Sequence, residues 1–127
     1  MGQTDDREAT MQARAVIDPG ACGFTAAVTA TVEGGRRASF TIESQCEHVA
    51  ALAAALAEHE PFDTYAEMDS RAESPLHTVC RESLKGSYPW CPVPLGLLKA
   101  MQVASGLSLS DSMSLKVTAG EGTDETT

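Results

Sequence analysis

From residue 24 to residue 42 the chain alternates. Phe24, Ala26, Val28, Ala30 and Val32 fall on one side of an extended backbone, and Ala38, Phe40 and Ile42 do the same after a break. The break is Glu33-Gly34-Gly35-Arg36, whose two glycines suit a tight hairpin with positive φ angles, so two paired, half-buried strands are predicted. A shorter apolar run over residues 13–17 predicts a preceding strand, ended by the turn signal Asp18-Pro19-Gly20. The period then changes to that of a helix: Val49, Leu52, Ala53 and Leu56 share one face, and Ser44 with Glu47 has the spacing of a capping box, which starts the helix at Ser44. Residues 58–73 are acidic and broken by Pro61, and read as a long surface loop with at most a turn of helix. Ser74-Pro75 and Lys85-Gly86 bracket a second helix over residues 76–85, as an N-cap with proline behind it and a C-terminal stop. A third helix carries Leu95, Leu98, Met101 and Val103 inward and ends at Gly106; Met113, Leu115 and Val117 alternate in a last strand. The order βββ-ααα-β predicts an α+β fold, an antiparallel sheet with helices packed on one face.

All of this fits one domain. Of the 127 residues, 12–118 form the expected single α+β domain, while 1–11 and 119–127 are polar, aperiodic and expected as disordered tails. The formal charge of −9 argues against nucleic acid and anionic membrane surfaces, because counterion release needs a basic patch. No apolar run reaches the length of a transmembrane span and the N-terminus has no signal-peptide pattern, so the expected location is cytoplasmic.

That location bears on the four cysteines, Cys22, Cys46, Cys80 and Cys91. In a reducing compartment cysteines are more often free, catalytic or metal-bound than paired with one another. If the strands and helices run alternately up and down with short connections, the cysteines, though far apart in sequence, gather at one rim of the sheet. Cys22 falls in the first turn, Cys46 at the start of the first helix, where unpaired N–H groups favour a thiolate, Cys80 in the upper half of the second helix, and Cys91 between Trp90 and Pro92-Val93-Pro94 at the mouth of the third. The prolines restrict the backbone there, and Trp90 is placed to screen a thiolate from water.

Four gathered thiolates suit an iron–sulfur cluster or zinc, and the protein is expected to bind such a centre in a redox or sulfur-metabolism role. The dispersed spacing lacks the Cys-x₂₋₄-Cys pairs of structural zinc sites. His77, three residues before Cys80, is the additional candidate ligand or base. Two other readings stand beside this one. In the first, Cys46 is a nucleophile resolved by Cys22 in thiol/disulfide redox chemistry. In the second there is no cofactor: the cysteines are incidental small hydrophobes, and the chain is a module binding an unidentified protein partner through its acidic loop.

Cys22-Gly23 after the first strand, "SQCEHV" at the first helix and "CPVPLGLLKAMQVASGLSL" at the third resemble a family of small uncharacterised cysteine-containing proteins of anaerobic bacteria and archaea, over about Ala13 to Val117. The resemblance implies a shared cysteine-based site and, through the anaerobic setting, tilts the centre from zinc toward iron and sulfur. It implies no reaction.

Overall fold

The computed structural model describes residues 10–18, 23–69, 73–110, 112 and 114–120. Strands β1 (Met11–Ile17), β2 (Ala26–Glu33) and β3 (Arg37–Ser44) form an antiparallel sheet, joined at its far edge by the two-residue strand β4 (Phe62–Asp63), in the order β1-β2-β3-β4. The fold is α+β, as the alternating and helical periods predict. The register puts Ala15 opposite Val28 and Val28 opposite Ile42, so the predicted apolar positions of all three strands face the same way. Gly34 and Gly35 adopt φ of +64° and +70° in the hairpin, the conformation an L side chain resists. The opposite sheet face is polar, with Gln12 donating to Thr31 at 3.1 Å.

Helices α1 (Glu47–His59), α2 (Thr64–Glu67), α3 (Pro75–Leu84) and α4 (Val93–Ala104) complete the chain. α4 lies over β1 and β2, α1 lies over β3, and α3 packs on α1. Val49, Leu52 and Leu56 of α1 are buried as their spacing predicts, each such leucine contributing roughly 1.5–3 kcal/mol. Ser74 caps α3 by accepting the His77 N–H at 3.0 Å, with Pro75 behind it.

The alternating path is also as expected. Ile17 pairs with Ala26, and Ala26 with Ser44, defining one rim. α4 starts there: a Cβ built on Gly96 would meet Ile17 Cδ1 at 2.3 Å. It ends at the opposite side of the sheet, where Ser105 donates to the buried Thr64 hydroxyl at 3.0 Å. No helix among the described residues is long and apolar enough to cross a membrane.

Four local expectations are corrected. Ser44 ends β3 instead of capping α1, because its backbone is held opposite Ala26; the N-cap is Cys46. The acidic stretch is not wholly surface, since it supplies β4 and α2 and buries Phe62, Thr64 and Glu67. In the hairpin turn, the exposed Arg36 guanidinium forks onto Asp63 at 3.0 and 3.1 Å and lies over the Tyr65 ring. In α4 the sheet-facing residues are Gly96, Leu97, Ala100, Met101 and Ala104, while Leu95 is 45% exposed. The last strand is absent: residues 114–120 have no regular structure and Leu115 and Val117 stand in solvent, while Met113 lies outside the described residues. The fourth strand of the sheet is β4 instead.

Candidate functional site: the thiol rim

Two helices begin at the rim, each beside a cysteine. Cys46 is the N-cap of α1, half-buried, and makes no side-chain cap to the helix; its own N–H donates to the Ser44 hydroxyl at 3.2 Å. The strand therefore runs almost directly into the helix and leaves the thiol at the junction. Cys91 precedes Pro92, the N-cap of α4, and its N–H donates to the Ser87 carbonyl at 2.9 Å, closing the turn that follows α3. Pro94 at the second helical position has no N–H to offer an anion, so fewer donors point outward from α4 than from α1.

Cys80 stands on the inner face of α3 with no exposed surface, among Leu76, Val79 and Leu84. Burial pushes its thiol up to about 12, and the negative charges that Cys91 and Glu67 would carry add to the effect. Cys91 and Glu67 are thus close enough to act on it. A thiol so placed is neutral at physiological pH, and becomes a nucleophile or ligand only where a cation or a base compensates the charge.

Glu67, in the short helix at the end of the sheet opposite the rim, is a buried carboxylate that sequence reasoning missed. It closes α2, is 8% exposed, accepts the Leu76 N–H at 3.1 Å and takes a hydrogen bond from the Ser74 hydroxyl. A carboxylate at the start of α3 complements the helix dipole. Its only sequence signal is an acidic residue shortly before an N-cap, and the loop residues between them hide it.

His77 is half-buried, and its Nδ1 meets the Tyr88 hydroxyl at 2.9 Å with the rings edge to face. Tyr88 therefore occupies one ring nitrogen and leaves Nε2 for any second role. Trp90 does not screen Cys91: it is 77% exposed, because the turn closed by the Cys91 N–H carries it outward.

Of the predicted ligands, Cys91 lies near enough for its charge to act on the buried Cys80, and Cys46 stands at the junction of β3 with α1. Among the described residues, no three His, Cys, Asp or Glu side chains converge closely enough to hold a metal ion. Cys22 lies outside the described residues. Among the described residues, Cys46, Cys80 and Cys91 form no disulfide.

No curated protein and no solved structure matches the chain. A family does: residues 13–117 match DUF6951, a family of unknown function, and the chain belongs to it.

Proposed function

We propose that the protein holds a soft metal or an iron–sulfur centre through cysteines at the rim, in a redox or sulfur-metabolism role within a reducing compartment. Cys80 and Cys91 supply two ligands from the interior side, and Cys46 and Cys22 complete the set from the junctions of β3 with α1 and of β1 with β2. His77 Nε2 is the candidate substitute ligand. The observation that supports the reading is the buried Cys80 thiol, which burial holds protonated and on which the charges that Cys91 and Glu67 would carry act in the same direction. A divalent or cluster cation would reverse that electrostatic cost and deprotonate the thiols outright. Resemblance to cysteine-containing proteins of anaerobes supports iron and sulfur ahead of zinc.

Purification without oxygen, followed by assay of iron, acid-labile sulfide, zinc and visible absorption, tests the reading. Iron with sulfide and a brown colour is expected, and Cys91→Ser and Cys46→Ser should each lose it while remaining folded. Metal-free protein after anaerobic reconstitution would overturn it. A second reading is a dithiol cycling with a disulfide, which the action of the Cys91 charge on Cys80 supports. Oxidation of metal-free protein by a low-molecular-weight disulfide should then give a Cys80–Cys91 bridge in peptide mapping.

A further inference from the structure

Residues 114–119, Ser-Leu-Lys-Val-Thr-Ala, alternate polar and apolar positions as a strand does, yet they have no regular structure, and Leu115 and Val117 are 88% and 86% exposed. The family match nevertheless runs to residue 117. The unit shared across the family thus takes in a strand-patterned segment that the single chain leaves without a sheet.

Among the described residues, the sheet has an edge without a strand. On the β3 side, β4 pairs with Arg37 and Ala38, and beyond it the Glu60 carboxylate accepts the Phe40 N–H at 2.9 Å, so that edge is covered as far as Phe40. On the other side, no backbone hydrogen bond among the described residues reaches β1 apart from its pairing with β2. The inner-face residues of β1, Ala13, Ala15 and Ile17, are only half-buried, while their β2 partners Ala30, Val28 and Ala26 are 0–3% exposed. A seven-residue strand without proline, whose one charge, Arg14, lies beside Glu43 at 4.0 Å, is a template for another strand.

We propose that residues 114–119 add as an antiparallel strand to the β1 edge of a second copy of this chain, which returns its own segment, giving a dimer held by two exchanged strands. The direction of the chain selects the second copy. α4 descends from the rim and delivers the chain to the end of the sheet where β1 begins, near the hairpin, where a Cβ on Gly35 would lie 4.0 Å from the Ser105 carbonyl. From there a strand laid on its own β1 would run parallel to it in an otherwise antiparallel sheet, the weaker pairing. A strand given to another copy is free of that constraint, extends the antiparallel pattern and satisfies the open N–H and C=O groups of β1. Leu115, Val117 and Ala119 then fall on one face, over the half-covered flank of Ala13, Ala15 and Ile17. Reciprocal exchange gives the closed two-fold symmetry usual among homo-oligomers.

Sedimentation of the full chain over a micromolar concentration series, combined with amide hydrogen exchange, tests this. A monomer–dimer equilibrium is expected, with residues 114–119 and β1 protected together as the dimer forms. Leu115→Pro with Val117→Pro removes two strand donors from a solvated segment, so it should weaken the dimer at least about tenfold without lowering the melting temperature of the monomer. A chain that is monomeric at every concentration, or a dimer indifferent to the prolines, would overturn the proposal. So would protection of residues 114–119 in the monomer, which would mean docking on the chain's own edge.

Discussion

Burial sets the chemistry of Cys80 and with it a measurable pH dependence. Its thiol ordinarily titrates near 9.0 and is held up to about 12 in the fold, chiefly by loss of solvation. The folded state therefore keeps a proton that the unfolded chain releases. The resulting stability is fully present below pH 9.0, and is lost as pH rises toward about 12. Cys80→Ala should cost about 1 kcal/mol at neutral pH and remove this part of the alkaline decline, while Cys80→Ser, burying a hydroxyl without a designed partner, should cost about 1–3 kcal/mol. Urea unfolding at neutral and alkaline pH measures both, and an unchanged alkaline slope in Cys80→Ala would refute the assignment. The residue itself was legible in the sequence, because i, i+3 spacing and a buried helix face are local properties. Glu67 was not. A carboxylate is buried here only because the start of α3, separated from it by a loop, returns to offer the Leu76 N–H, and no local pattern encodes that return.

The same distinction governs the helices. The period of large apolar residues located α1 and its buried face, but in α4 it pointed to Leu95, which the structure leaves 45% exposed. What decides the face of α4 is a row of small residues, Gly96, Ala100 and Ala104, spaced four apart and buried against the sheet. Hydrophobic periodicity weights bulk, whereas close approach of a helix to a sheet needs its absence. Gly96→Ala brings a methyl within 2.3 Å of Ile17 Cδ1 and 3.0 Å of Cγ1. Overpacking of this kind costs about 1–3 kcal/mol, against which the better helix propensity of alanine returns up to about 1. A net loss of stability is expected, and Ile17→Val in the Gly96→Ala background should recover part of it, since the clash falls on the far end of that side chain. Thermal unfolding of the two single variants and the double variant would show this as a favourable coupling; strict additivity would place the cost elsewhere.

Over the whole molecule, the alternating path was readable because short connections between antiparallel neighbours leave few other routes, and it is this path that carries Cys46 and Cys91 to one rim. The closing strand was misplaced because pairing depends on an edge being offered. The β3 edge is occupied by Phe62 and Asp63, held there by the Arg36 fork and by the Thr64 N–H, which donates to the Arg36 carbonyl at 2.8 Å. This leaves β4 the shortest strand of the sheet, paired only with Arg37 and Ala38, while β2 is bonded on both sides and contributes Val28, Ala30 and Val32 with no exposed surface. The hydrogen bonds from Arg36 are the main reason that Asp63 is held below its ordinary carboxyl range near 3.8. A depressed acid contributes stability that is present above that range and lost as pH falls through the folded value. Amide exchange should therefore rank β2 slowest and residues 62–68 fastest within the packed elements. Arg36→Ala should speed exchange at 62–68 while leaving β2 at its wild-type rate. Acidification of the wild type should approach the same local opening, and it should do so less in Arg36→Ala, where the pair is already gone. If β2 and residues 62–68 instead open together at every pH, the Arg36 fork anchors no separate unit and the sheet opens as one.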